Sequence, residues 1–190
     1  MIIEGNTELW KVATQNEEEA PEEMTEAESD SQWLCHYFHL EDNDELFTQL
    51  KNFVLFWGLF EKEYFNKHCH DNELAEWVPS FTLESHFVNI CISQLREWYL
   101  NPDGTVNHYL IDNKLYHDAP KGTKDALEEG LESDNDTLQV RAIIIAIYRY
   151  RNNLFHGEKD IATNAPHYHE LFAFANRFLR KCLEQKNTVK

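Results

Sequence analysis

The stretch "TLQVRAIIIAIYRYRNNLF", residues 137–155, constrains this chain more than any other. It is too apolar for a surface loop, and its length suits a helix. "SDND" at 133–136 offers capping groups before it, and Gly157 stands where a C′ glycine ends a helix. The expected helix covers about residues 136–156 and needs other elements to cover it. Those elements are legible from apolar spacing. Leu46, Leu50, Phe53, Trp57, Phe60 and Tyr64 recur at alternating four- and three-residue steps, one face of a helix over about 44–67. After Pro79–Ser80, the positions Glu84, Val88, Cys91, Leu95 and Trp98 mark a second helix, with Phe87 and Ile92 beside the stripe. "NPDG" at 101–104 breaks the chain into a turn. Residues 105–122 read as irregular, and a short helix at 123–131 is expected to stop near Gly130. A last helix opens at Asn164–Ala–Pro166 and runs to about 185, with Leu171, Phe174, Phe178 and Cys182 inward. "WLCHYFHL" at 33–40 is apolar but too short to assign. No stretch alternates as a sheet strand would. The expected class is all-α, an up-and-down helical bundle of four to five helices.

At 190 residues the chain is expected to be one domain, or one domain with an appendage. Residues 15–31 hold eight acids and no base, so this segment is expected to be solvated and disordered. The division is an N-terminal extension at 1–40 and a helical domain at 41–188. Glu4 follows Met1–Ile2–Ile3 directly, which resembles no leader peptide, and no uncharged run is long enough to span a bilayer. A soluble, cytoplasmic protein with no membrane partner is the expectation. Cys35, Cys69, Cys91 and Cys182 lack paired spacing and read as reduced, buried thiols. "HCH" at 68–70 has metal-binding residue types but no second cluster, so neither a metal nor a cofactor is called for. The net charge is −17, unevenly spread. Residues 141–190 carry nine bases against four acids, or +5, which leaves −22 on residues 1–140. A locally basic rear can hold a phosphate although the bulk is acidic.

The end of the long helix gathers Arg149, Arg151, Asn152, Asn153 and His156. Helical spacing places Ile145, Arg149, Asn152 and His156 on one stripe, and Val140, Ile144, Ile147 and Leu154 on a second, core-facing one. The polar stripe is expected on a surface. Such a set suits phosphodiester cleavage without a metal. Histidine exchanges a proton near neutral pH, a guanidinium holds phosphate oxygens and stabilises charge, and RNA supplies its own 2′-hydroxyl nucleophile. One histidine is a thin acid–base set, and a two-fold dimer would present two. The plainer reading is a helix C-terminus capped by cations that its dipole favours. His167 and His169 could join the site or stand exposed, and Glu128, Glu129 and Glu132 read as a solvated face.

The string "YRYRNNLFHGEK" resembles the signature of the HEPN superfamily, the higher eukaryotes and prokaryotes nucleotide-binding domain, whose motif is Arg, a polar residue, a short spacer and His. The resemblance implies a helical domain from about residue 40, working as a metal-independent endoribonuclease. It implies a homodimer whose composite site joins two motifs, found in toxin–antitoxin and anti-phage defence systems. Arg151 and His156 would be catalytic, and Asn152 supporting. Arg149 is added as an auxiliary phosphate contact by its helical position alone. RNA is the implied substrate, and an antitoxin or regulatory protein a further partner. The alternative is a non-catalytic HEPN module that binds nucleotide, RNA or protein. Glu158 stands where one HEPN toxin subfamily carries a tyrosine modified by its antitoxin, so that mode of control is not implied.

Overall fold

The computed structural model describes residues 30–37, 44–66, 68–117, 121–155 and 164–187. They form eight helices: α1 (Asp30–Tyr37), α2 (Asp44–Tyr64), α3 (Asp71–Glu76), α4 (Ser85–Tyr99), α5 (His108–Lys114), α6 (Lys124–Glu132), α7 (Asp136–Phe155) and α8 (Ala165–Asn187). The all-α expectation holds, but the count exceeds four to five. Three of the additions, α1, α3 and α5, are six to eight residues long. Helices this short show no full apolar period, and packing rather than propensity holds them. α1 falls within the stretch set apart as an extension, yet it packs on α2 and Cys35 is buried. The acidic run lies outside the described residues except for its end.

Named contacts fix the directions of the four long helices. Glu45 pairs with His169, Phe53 stacks on Phe172, and the Tyr64 hydroxyl donates to the Cys182 carbonyl. These pairs climb both helices in the same order, so α2 and α8 run the same way. Ser85 bonds Asp136 and Tyr99 bonds Tyr150, so α4 and α7 also run together. α4 and α8 oppose each other, because Phe87 meets Phe178 while Trp98 meets Phe174 and His167. The order is therefore up, down, down, up. The α5–α6 excursion makes the parallel α4–α7 step possible, where a short loop would force the next helix to return.

The turn opening that excursion follows its sequence. Gly104 has φ +84, a conformation that glycine adopts without strain, and its N–H donates to the Asn101 carbonyl at 2.9 Å. Asp103 Oδ1 accepts from the Thr105 N–H and hydroxyl, and a lone bridge pairs Leu100 with Val106.

The core is where the apolar spacing places it. Leu46, Phe53, Trp57 and Phe60 of α2 are buried, as are Val88, Cys91, Ile92 and Leu95 of α4 and Leu171, Phe174, Phe178 and Cys182 of α8. α7 departs from expectation. Every residue from Ala142 to Tyr150 is buried, so this segment lies enclosed on all sides rather than presenting a polar stripe to solvent. Full burial of each of its isoleucines contributes about 1.5–3 kcal/mol as an upper bound. All four cysteines are free and buried. Among the described residues no helix is long and apolar enough to cross a membrane.

Gly130 does not stop α6, which continues to Glu132. A Cβ at Gly130 would strike the Leu138 carbonyl oxygen and the Ala142 Cβ of α7. The glycine is there because two helix backbones touch. Gly130→Ala should therefore cost about 1–3 kcal/mol through overpacking, despite alanine's better helix propensity. Urea unfolding checks this, and an unchanged or raised midpoint would contradict it. Tyr64 gives a second test. Burial, and then its neighbours Cys182 and Glu63, push its hydroxyl up to about 12. The raised value favours the neutral form in the fold, so its contribution is full below the free tyrosine range near pH 10 and lost towards pH 12. Tyr64→Phe should narrow the fall in melting temperature between pH 9 and 11.5, and an identical fall in both proteins would contradict this.

Candidate functional site at the end of helix α7

The start of α7 is fixed by its capping residues. Asn135 Oδ1 accepts from the N–H groups of Thr137 and Leu138 at 2.9 and 3.2 Å, and Gln139 Nε2 donates to the Ser133 carbonyl. The helix then crosses the core and brings Arg149, Arg151 and Asn152 with it.

Arg149 is the first. Its guanidinium is in the interior, with the residue 1% exposed, so it is not placed to meet an external phosphate. It pairs with Asp71 Oδ1 at 2.9 Å, donates to Thr123 Oγ1 at 3.3 Å and stacks 4.3 Å from the centre of the Tyr116 ring. Tyr116 in turn shares a hydrogen bond with Thr123 at 2.8 Å. A buried cation is tolerated only with an opposing charge and hydrogen-bond partners, and this one has both. The set joins α7 to the first turn of α3 and to the loop between α5 and α6. Burial pushes the Tyr116 hydroxyl above its ordinary range, while Thr123 and Arg149 pull the other way.

Arg151 and Asn152 follow at the helix end and are half-buried. The structure brings them together: Arg151 Nη1 donates to Asn152 Oδ1 at 2.9 Å. Burial raises the Tyr148 hydroxyl, while Asn152 pulls it the other way. Two neighbours hold this end in place. Asn153 Nδ2 donates to the Lys114 carbonyl at 2.9 Å, and the Tyr150 hydroxyl meets that of Tyr99 at 3.1 Å. His156 and Gly157 lie outside the described residues, so the spacing of His156 from Arg151 is known from sequence only.

The "HCH" run is outside any helix, extended at His70, with His68 and His70 exposed and Cys69 buried between them. Such alternation turns the histidines away from the thiol. Among the described residues no group of three or more His, Cys, Asp or Glu could hold a metal ion. Burial raises the Cys69 thiol, as do Glu61, Glu73 and Asp71, while Arg151 lowers it. Arg151 is thus close enough to sense this acidic edge. His169 pairs with Glu45 at 3.3 Å, and His167 packs edge-on to Trp98. Of Glu128, Glu129 and Glu132 on α6, two are engaged: Glu128 pairs with His108 and Lys124, and Glu129 with Arg141.

Sequence reasoning missed Asp71, Thr123 and Tyr116. Each is a common polar or aromatic residue in a short element, with no spacing relation to Arg149. The one available signal was the cost of an arginine inside so apolar a helix, which demands a carboxylate somewhere. Comparisons with protein-family models, with curated proteins and with solved structures find no match to this chain.

Asp71→Ala should destabilise the fold by about 3 kcal/mol, because it leaves a buried guanidinium without its carboxylate. Adding Arg149→Met should restore much of that loss. Denaturant midpoints of the two single variants and the double variant check this, and simple additivity would contradict it.

Proposed function

We propose that the chain is a HEPN-type, metal-independent endoribonuclease that acts as a homodimer in the cytoplasm, as a toxin or anti-phage defence component under a regulatory partner. The observation that supports this best is the hydrogen-bonded Arg151–Asn152 pair at the end of a helix anchored by Arg149–Asp71 and Tyr150–Tyr99. Arg151 and Asn152 match the first two positions of the HEPN motif, and His156 the third.

In this reading His156 of one protomer takes the proton from the RNA 2′-hydroxyl as that oxygen attacks the adjacent phosphorus. The P–O5′ bond breaks, and a second proton donor, His156 of the other protomer, protonates the departing 5′-oxygen. The products are a 2′,3′-cyclic phosphate and a 5′-hydroxyl. Arg151 stabilises the added negative charge on the phosphoryl oxygens, and Asn152 holds the guanidinium in plane for two-point contact. Arg149 acts through the fold, as a positioning residue for the helix end. No cofactor enters. Glu61, Asp71 and Glu73 act on the same Cys69 thiol as Arg151 does, so acids stand near the motif. They favour the second reading, a HEPN module that binds nucleotide, RNA or a protein partner without cleaving.

RNA cleavage by purified protein in EDTA should fall by about 10²–10⁴-fold in His156→Ala and 10²–10³-fold in Arg151→Gln, with the dimer intact in both. Cleavage that survives in either variant, or that appears only with added metal, would contradict the assignment.

A further inference from the structure

The chain's basic residues gather away from the motif as well. An open groove of about 460 Å³ runs between α2, α4 and α8. Phe56 and Phe87 form its apolar lining and are half-buried, and Phe87 is backed by a stacked contact to Phe178. Asn52 adds an amide group, and α8 contributes Arg177, Arg180 and Lys181. Arg180 and Lys181 share one carboxylate, Glu184. The Arg177 guanidinium is held by the neutral Gln94 amide oxygen at 2.9 Å. The groove thus carries three cations and one acid in a chain of net charge −17. Asn176, at its buried edge, donates to Gln49 while its own Oδ1 is enclosed without a donor.

Aromatic floor, amides and a cationic edge together suit a strand that offers bases, hydroxyls and phosphates in alternation. Aromatic stacking is indifferent to base identity, and guanidinium and ammonium groups track the backbone. We propose that this groove binds a single-stranded RNA segment, with phosphates on Arg177, Arg180 and Lys181 and a base against Phe56 and Phe87. The inference rests on the RNA reading above, and it makes α8 an anchoring surface remote from the cut. Phe87 lies in the first turn of α4, whereas Tyr99 ends it beside Tyr150. Those twelve residues of helix separate groove and motif by about 18 Å. Anchoring at that distance would select for strand length rather than for sequence at the scissile bond.

The test uses the full chain carrying His156→Ala, to keep the RNA intact, and a fluorescein-labelled oligouridine read by anisotropy across a salt series. Arg177→Gln/Arg180→Gln should weaken binding at least about tenfold and lower the salt slope by about 1.4, the value for two lost single-strand phosphate contacts. A matched pair of neutralised lysines on the exposed face of α2, Lys51→Gln/Lys62→Gln, should change affinity less than about twofold by the same reasoning. Circular dichroism confirms that each variant is folded. Equal weakening in both pairs would overturn the groove in favour of diffuse attraction. An unchanged affinity in the α8 pair, with weakening in Arg151→Gln, would overturn it while leaving the ribonuclease reading in place. No binding by the parent protein at low salt would sink both.

Discussion

A guanidinium cannot be left in a protein core without an opposing charge, and Arg149 shows how much structure that demand organises. Its ion pair with Asp71 and its contacts with Thr123 and Tyr116 draw two separate segments onto one helix. Asp71 begins α3, and Tyr116 and Thr123 flank the loop before α6. Moving any of them would expose the cation to an apolar environment, which costs more than a missing methyl group would. The short helices α3 and α5 could not form alone, and they persist because α7 needs what they carry.

The same helix explains the connectivity. α7 is enclosed, so its neighbours must close on it from several directions. α4 runs alongside it, and α6 approaches so nearly that only glycine fits at position 130. The parallel α4–α7 step requires a long crossover, and α5 and α6 are that crossover. The functional consequence appears at the far end. Asn153 and Tyr150 anchor α7 from within, while Arg151 and Asn152 emerge half-buried and bonded to each other. A polar end on an otherwise buried helix is a way of presenting a few groups with little freedom, which is what charge stabilisation in a reaction requires.

The helices that pack by one face were legible in the sequence. α2, α4 and α8 alternate apolar and polar residues at the helical period, and their bounds and inward residues follow from it. α7 has no such contrast. Sorting its residues into a core stripe and a surface stripe assumes one wet face, and between Ala142 and Tyr150 there is none. That assumption is why Arg149 was grouped with Asn152 as a surface pair although only Asn152 reaches the boundary. The short helix ends near Gly130 as expected, but the glycine's role is different: one that admits a neighbouring backbone looks, in sequence, like one that ends a helix. Partners brought from afar, such as Asp71, leave no local trace. The adjacency of Arg151 and Asn152 was legible, because it depends only on the covalent chain.

In the proposed reaction the end of α7 cleaves RNA through the substrate's own 2′-hydroxyl. The most direct measurement is product analysis on an RNA incubated with the protein in EDTA, beside the same RNA with a single 2′-deoxy residue at the mapped cut. The account predicts 2′,3′-cyclic phosphate ends from the first and no cleavage at the substituted position in the second. Cleavage at the deoxy position, or products with a 5′-phosphate, would require an external nucleophile and contradict it.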